Sequence, residues 1–515
     1  MLKIRRSDIL DISFSLLLTV AFIFLKGYTF NNGDQADHLL PVYEKIANGT
    51  FKGDFFMDYQ AQSFSIRQAY IWLLFGLNFI APLALWSFVL TFLCIFSAIF
   101  GWSKLAFHLT KNEFAAFISP ILIFFVFYGF TVGGCNLMYS IFITSTIAKA
   151  FVPWAILYFL GNKYVVSGII VGIATIFHAI VGLQIFIILG LIMIFNRRET
   201  GWKSILLYFS IYFSLASFVI VPNIQLQFFN DFVYDKSLYN QIFYHFRNPH
   251  HYLPRSFPLI QWLKYLFIIA IIVFTAFFKD KRAKYRSVFL FFGIQTFGLL
   301  VYSVMTEGFD IYKFNAIQWF KSTIWVAAFA CIFLGEWLSA FGFFKNIWVK
   351  FAWLVQNWKL NLAVSFFGLV FMLNANLIPI EKFKSRYQVG NYKKTELQTA
   401  HDWIRLHTPK QSLFVAPPSD FGFGCETLRP SLVNCKALVH EPKYMLQWYE
   451  RISAIYKTTF EDLQGKSFVE AAEMKYKLGD FDSKKFKAEY GLLYKPLKKA
   501  YPVLYQTEMY VVVKF

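Results

Sequence analysis

Long apolar runs, separated by short polar or charged connections, make up most of the first 380 residues. A run of about 20 apolar residues is long enough to cross a bilayer as a helix. The pattern predicts eleven membrane-spanning helices, at about residues 9–29, 82–105, 113–131, 139–160, 164–177, 180–196, 203–223, 259–278, 287–305, 317–338 and 361–379. A further apolar stretch, Ala69–Ile80, is short for a span and is predicted to be a helix lying in the membrane interface.

Residues 164–196 are too long for one ordinary membrane helix and too short for two full ones. A single long helix would reverse the orientation of all later segments and export the basic cluster at residues 279–286. We therefore predict two short or broken helices with His178 near the outer turn. Such a break is tolerated where protein or water lines it.

Composition and charge agree with a polytopic membrane protein. Hydrophobic residues make up 57% of the 515, and the formal net charge is +20. The positive-inside rule and anionic lipid headgroups explain this charge better than nucleic acid does, because the basic residues lie mostly in short clusters between apolar runs and in the C-terminal part. The N-terminal basic and apolar regions are typical of a signal peptide, but no small-residue cleavage site follows, so we predict a retained first helix.

The basic clusters also predict an orientation with the N-terminus inside. In that orientation all of them fall on the inner side: Lys3, Arg5 and Arg6; Lys104 and Lys111; Lys163; Arg197, Arg198 and Lys203; Lys279, Lys281, Arg282, Lys284 and Arg286; and Lys345, Lys350 and Lys359. The outer face then receives residues 30–67, the turn at 131–139, His178, the loop at 224–258, the segment at 306–316 and the tail from about 380. Residues far apart in the sequence are thereby expected to share one interface.

The tail is predicted to be a separate extracytoplasmic domain, residues 381–515, after a membrane domain of residues 1–380. Lys394–His407 and Tyr444–Tyr456 have helical spacing, and Ser412–Ala416 is a short apolar run. The chain ends in Val503–Tyr505 and Met509–Phe515, which are rich in β-branched and aromatic residues. Alternating helices and strands indicate a small α/β or α+β domain.

Cysteine usage adds one open question. Cys425 and Cys435 share the predicted outer domain, where an oxidising compartment would permit a disulfide. Their spacing does not show that the Cβ atoms meet, so both the bonded and the free state stay open. No pair has zinc-finger spacing.

The polar loop that follows the first apolar run carries the first candidate site. It contains Asp34, Asp37 and His38, with Asp54 and Asp58 further on. A carboxylate just beyond a membrane helix can act as a general base toward a hydroxyl, or as a metal ligand beside a phosphate. The alternatives are a solvated residue, or an N-cap for a helix starting near residue 36. If the segment is helical, Asp34 and His38 share one face, while Asp54 and Asp58 have the same spacing and are alternatively helix-capping acids.

A second constellation lies at residues 244–254, where Arg247 is followed by His250 and His251. Its planar donors and imidazoles could contact a phosphate and a sugar. Adjacent histidines in an extended chain point in opposite directions, so at most one would face a given site. The alternative is a rigid, proline-flanked loop whose histidines satisfy local backbone groups.

A third candidate is Lys321 with Gln318, at the outer mouth of the tenth predicted span. A lysine in an apolar helix end is costly unless it snorkels to the headgroups or meets an anion, so both interpretations stay open. His178 is either part of the same face or simply hydrogen-bonded within the protein. Trp448, Tyr449 and Arg451 in the tail either line the roof of a site or pack into the core of their domain.

These residues also carry a resemblance. The arrangement of an inside N-terminus, a large outer loop with an early aspartate, many spans and a C-terminal outer domain resembles the GT-C superfamily of polyprenyl-phosphate-dependent membrane glycosyltransferases. More narrowly, the chain is similar to an uncharacterised bacterial family of GT-C-like proteins. The similar residues are Gly33-Asp34-Gln35 with His38, the stretch from Arg247 to Tyr252, Gln318 with Lys321, and Thr408-Pro409 before Leu413-Phe414-Val415.

The resemblance implies transfer of a sugar from a polyprenyl-phosphate donor to a lipid, glycan or protein acceptor, on the outer face of a bacterial inner membrane. Asp34 would be the base of an inverting reaction, Lys321 and Arg247 would hold the donor phosphate, and His250 or His178 would orient phosphate or sugar. Asp37 lies three residues beyond Asp34, which leaves a divalent metal, Mg or Mn, open. The alternatives are a transporter or flippase of lipid-linked glycans, and a non-catalytic assembly protein.

Overall fold

A computed structural model describes residues 6–229, 232–278, 283–341, 353, 357–377, 386–390 and 395–515 of the chain. The protein is mostly helical, as predicted, and its chain divides into two compact units. The first unit draws on residues 1–28, 87–220 and 250–387, and the second on residues 29–86, 221–249 and 388–515. Each unit therefore combines segments that are far apart in the sequence.

Six helices within the described ranges are long and apolar enough to cross a membrane. They are Ile9–Lys26, Leu83–Thr110, Trp202–Leu226, Leu259–Phe277, Arg286–Glu307 and Asn315–Ala340. Six further apolar helices are shorter: Gln68–Leu77, Glu113–Val126, Thr144–Leu160, Tyr164–Phe177, Ala179–Phe195 and Trp358–Leu373. Five of the eleven predicted spans correspond to members of this shorter group, so the count of eleven stays a prediction.

The chain breaks at His178, as the length argument predicted. Helix Tyr164–Phe177 ends there and helix Ala179–Phe195 begins directly after it. The two helices pack so closely that a Cβ atom added at Gly182 would come within 2.5 Å of the Thr175 backbone. Only glycine permits this approach of one helix to the other.

The second unit contains the helices Asp34–Ile46, Phe55–Gln62, Gln68–Leu77, Lys236–Asn240, Glu396–His407, Phe423–Thr427, Pro442–Tyr456 and Phe468–Lys477. A π-helical segment, Gln241–Arg247, follows Lys236–Asn240. Four of these helices begin at side-chain caps that satisfy their first amide groups, namely Asp54, Asp235, Thr395 and Ser467. The cap at Asp54 confirms the capping alternative for that residue.

A four-stranded sheet organises residues 395–515. Its order is Phe414–Val415, Tyr490–Tyr494, Tyr510–Lys514 and Val503–Gln506, with the first pair parallel and the other two antiparallel. Ala400 and Ile404 of helix Glu396–His407 pack on the inward-facing sheet residues Leu492 and Val512. The two tail helices and the three predicted apolar segments are confirmed within a few residues. Strand Tyr490–Tyr494 and helix Phe468–Lys477 were not anticipated.

Several predictions fall on residues that the structure does not describe. These are part of the inner basic clusters (Lys3, Arg5, Lys279, Lys281, Arg282, Lys345 and Lys350), the end of the last span at 378–379 and the domain boundary at 380–381. The prediction of a separate extracytoplasmic domain stays a prediction, as does the orientation.

Candidate functional site

Asp34 opens helix Asp34–Ile46. The preceding residue, Gly33, has a positive φ of 56° and occupies the cap position, which leaves Asp34 as the first helical residue. The N-cap interpretation of Asp34 is therefore wrong. Its side chain is 49% exposed, and its Oδ1 lies 2.6 Å from Nζ of Lys436. An accessible carboxylate thus sits beside a lysine from a distant part of the chain.

Asp37 is the buried member of the same helical turn. Its Oδ1 lies 2.9 Å from Nδ1 of His38, and its Oδ2 accepts a hydrogen bond from Arg67 at 3.0 Å. Burial by itself would raise the pKa of Asp37, but the charges of Arg67 and His38 outweigh it and hold this pKa far below its ordinary value. Asp37 is therefore a permanently charged carboxylate that fixes two neighbours.

His38 shares the helix face of Asp34, as the spacing predicted, but it contacts the backbone of Asp34. Its Nδ1 lies 2.6 Å from the Asp34 carbonyl oxygen and also faces the Asp37 carboxylate. Because both neighbours are acceptors, Nδ1 carries a proton and donates it. The ring meets Tyr70 edge to face, with centroids 5.5 Å apart. These contacts fix the orientation of the imidazole.

Arg247 ends the π-helical segment and belongs to the same unit. Its guanidinium donates to the Lys436 carbonyl oxygen at 3.2 Å and to Oδ1 of Asn248 at 3.1 Å. It also lies over the ring of Phe468, at 5.1 Å, and that of Trp448, at 6.0 Å. Among the described residues no carboxylate forms an ion pair with it, and its Nε is buried without a hydrogen-bond partner.

Lys436 joins these groups. Its side chain reaches Asp34, its carbonyl oxygen accepts from Arg247, and its own N–H donates to Oδ1 of Asn434 at 2.7 Å. Asn434 also accepts from the next amide, so the turn that presents Lys436 is fixed. Sequence reasoning missed Lys436 and Arg67, and only the folded chain brings them to the predicted acids.

The electrostatic result is a cluster with more cations than anions. Arg67 pairs with Asp37, Lys436 pairs with Asp34, and Arg247 bonds the backbone of Lys436 as a third cation. Burial lowers the pKa of Arg247, although a guanidinium starts so high that it stays charged. A largely buried cation without a carboxylate partner favours binding of an external anion, because a buried charge is costly until it is paired.

The metal alternative fits this donor set poorly. Both carboxylates already contact cationic side chains, which compete with a metal ion for their oxygens. In the part of the chain that the structure describes, no group of three or more His, Cys, Asp or Glu residues is arranged to hold a metal ion.

The two neighbouring histidines lie in the first unit. His250 and His251 belong to the helical turn Pro249–Tyr252, and their ring centroids are 4.1 Å apart. The expectation that they point in opposite directions is wrong, because the segment is helical and not extended. The carbonyl oxygen of Tyr252 accepts a hydrogen bond from Tyr302 at 2.7 Å, which anchors the turn. That His250 meets Asp34 stays a prediction.

Three more predicted residues also lie in the first unit. The carbonyl oxygen of Gln318 accepts from the side chain of Gln184 at 2.9 Å and from the Lys321 amide at 2.9 Å. The buried Oε1 of Gln318 has no partner within the described ranges. Nδ1 of His178 accepts from the Val181 amide at 3.3 Å, so this histidine caps its helix, as the structural alternative held. A phosphate role for Lys321 stays a prediction.

The aromatic helix of the tail and its cysteines have structural partners. Trp448 is fully buried and donates from its ring N–H to the Asn434 carbonyl oxygen at 3.0 Å, so it supports the turn of Lys436 and lies beneath Arg247. Cys425 and Cys435 are both free thiols, which rules out the bonded alternative in this structure. The Cys425 thiol donates instead to the Ala36 carbonyl oxygen at 2.9 Å.

The six long apolar helices indicate a membrane-embedded helical protein, and its second unit carries a cationic cluster beside an accessible carboxylate. Residues 395–455, which lie in that unit, match the model of a family described as a domain of unknown function, DUF6798. The matched residues include Lys436 and Trp448. A comparison with curated proteins found no match.

Proposed function

We propose that this protein is an inverting membrane glycosyltransferase that moves a sugar from a polyprenyl-phosphate donor to an acceptor on the extracytoplasmic face. One observation carries the proposal. The half-exposed carboxylate of Asp34 contacts Lys436, and the backbone of Lys436 is bonded by Arg247, a cation that has no carboxylate partner among the described residues. A base beside an anion site is the arrangement that transfer from a phosphate leaving group requires.

In the proposed step, Asp34 takes the proton of an acceptor hydroxyl. The hydroxyl oxygen forms a bond to the anomeric carbon as the bond from that carbon to the phosphate oxygen breaks. The phosphate leaves with the electron pair and stays bound to its polyprenyl chain. Attack from the face opposite the phosphate inverts the anomeric carbon.

The surrounding side chains have supporting roles in this proposal. Arg247 and Lys436 stabilise the negative charge that develops on the departing phosphate oxygen. Asp37 is a positioning residue, because its carboxylate fixes His38 and Arg67 and does not face the solvent. Lys436 exchanges its contact with Asp34 for the donor phosphate, which leaves the carboxylate available as a base.

The test uses the purified full chain in nanodiscs and separates donor binding from chemistry. Binding of a polyprenyl phosphate without sugar is measured first, followed by transfer from radiolabelled polyprenyl-phosphate sugars with a membrane extract as the acceptor source. Arg247→Gln should weaken polyprenyl-phosphate binding by about tenfold, the loss expected for one charge-assisted hydrogen bond. Asp34→Asn should retain this binding and lower transfer by about a hundredfold or more.

Asp58→Asn is the matched control. Asp58 is also an exposed acid near the start of a helix in the same loop, and its carboxylate accepts a hydrogen bond from the Gly53 amide at 3.2 Å. This variant should bind and transfer as the unmodified protein does. Transfer that survives Asp34→Asn would refute the assignment of the base. Movement of a lipid-linked glycan across vesicles without transfer would favour the transporter.

A further inference from the structure

An apolar groove opens between two of the long membrane helices of the first unit. It lies between the C-terminal part of helix Leu259–Phe278 and the N-terminal part of helix Arg286–Glu307, it is open on one side, and its volume is about 350 Å³. Its walls include Ile272, Ala276 and Phe277 on one side and Phe289 and Leu290 on the other. A groove of this size and apolar lining has room for part of a lipid chain.

A positive charge stands at one end of this groove. Arg286 lines the groove and is the first residue of its helix, where the helix dipole adds a partial positive charge. The Arg286 side chain is 55% exposed, so its guanidinium can reach a ligand from the surrounding lipid or water. An apolar groove that ends at a cation is complementary to a lipid with an anionic headgroup.

The present partner of Arg286 is easily exchanged. Its Nη1 lies 2.6 Å from Oε1 of Glu199, whose side chain is 68% exposed. An ion pair between two such exposed groups contributes little, since water and salt screen it. A lipid phosphate anchored by its own acyl chain in the groove would compete well for the guanidinium, because the chain holds the phosphate at a high local concentration.

We propose that this groove binds one anionic glycerophospholipid, with an acyl chain between Ala276 and Phe289 and the phosphate on Arg286. The residues of this site all belong to the first unit, and the proposal does not depend on the glycosyltransferase activity. It gives the protein a preference for membranes, or membrane leaflets, that contain anionic lipid.

The test titrates the purified full chain in detergent with phosphatidylglycerol or with phosphatidylcholine of the same acyl chains, and reads bound lipid by native mass spectrometry. The unmodified protein should bind phosphatidylglycerol more tightly. Arg286→Gln should weaken the binding of phosphatidylglycerol by about fivefold, which is the effect of one basic residue at a membrane surface. The binding of phosphatidylcholine should not change. Glu199→Gln removes the competing carboxylate and should strengthen phosphatidylglycerol binding.

Arg255→Gln is the matched control, because Arg255 is another exposed arginine of the first unit, 64% exposed and 3.5 Å from Glu307. It should bind both lipids like the unmodified protein. Ala276→Phe narrows the groove and should weaken the binding of both lipids. Equal affinity of the unmodified protein for the two lipids would overturn the proposal, as would an unchanged affinity in Arg286→Gln. A loss of polyprenyl-phosphate binding in Arg286→Gln, with phosphatidylglycerol binding unchanged, would overturn the choice of a glycerophospholipid.

Discussion

His401 is expected to make the stability of the second unit depend on pH. It lies on helix Glu396–His407 with its side chain 2% exposed, and each ring nitrogen faces a carboxylate. Nε2 is 2.7 Å from Oδ2 of Asp420, and Nδ1 is 2.6 Å from Oε2 of Glu426. Burial would lower the pKa of His401, but the two carboxylates outweigh it and raise this pKa to about 10.

The sign follows from comparing the folded and unfolded states. In the unfolded chain a histidine has a pKa of about 6.5, so the folded state holds this proton more tightly. The stabilisation from His401 is therefore fully present below about pH 6.5, declines as the pH rises and is lost above about pH 10. A difference of this size between the two states corresponds to a limit of about 5 kcal/mol in the free energy of unfolding.

The perturbation is His401→Gln, which removes the charge and leaves only the amide NH2 group as a donor to the two carboxylates. Thermal unfolding of the purified full chain is followed from about pH 6 to about pH 10. At the lowest pH of this range the variant should melt roughly 10 °C below the unmodified protein, and the difference in melting temperature should shrink toward the highest pH. Titrating groups that do not interact with His401 cancel in this difference.

His407→Gln is the control on the same helix, because His407 is exposed and bonds the Trp403 carbonyl oxygen at 3.0 Å. It should retain the pH dependence of the unmodified protein. A difference in melting temperature between the unmodified protein and His401→Gln that stays the same at all pH values would refute a charged His401 held between two carboxylates.

Three further outcomes are expected in the second unit. Asp54→Ala removes a helix cap and two hydrogen bonds from Ser431, and should cost about 2–4 kcal/mol in the free energy of unfolding, whereas Asp58→Ala should cost less than about 0.5 kcal/mol. Arg67→Met removes the cation that pairs with the buried Asp37 carboxylate and should lower the free energy of unfolding by about 3 kcal/mol. Adding Asp37→Asn should restore much of this loss, which a double-mutant cycle would measure. Because both tail cysteines are free thiols, a reducing agent should leave the melting temperature unchanged, and a marked decrease would indicate a disulfide.

The helical framework could be predicted because apolar run lengths depend on local sequence. The break at His178 followed from the length of residues 164–196. The helical turn at His250 was missed for a related reason. The prediction assumed an extended chain at the two histidines, but they follow Pro249, and proline is also favoured at the first position of a helix, where its missing N–H is not needed.

The partners of the candidate site could not be predicted from local pattern. Asp34 was conspicuous because it belongs to an acidic cluster next to an apolar run. Lys436 has no such context, since nothing in its neighbouring residues indicates that its side chain reaches an acid about 400 positions earlier. Arg67 is likewise an isolated arginine whose buried contact with Asp37 appears only in the fold.

The contact between Lys436 and the proposed base is compatible with catalysis because it is easily broken. An ion pair with a half-exposed acid contributes little stability, so Lys436 is held at Asp34 only weakly. Its backbone is fixed much more firmly, by Asn434 and by the carbonyl contact with Arg247. A donor phosphate that binds at Arg247 therefore arrives beside a lysine whose side chain is free to turn toward it, while its backbone stays in place. In the proposed reaction, donor binding would then release the carboxylate at the moment when an acceptor hydroxyl has to be deprotonated.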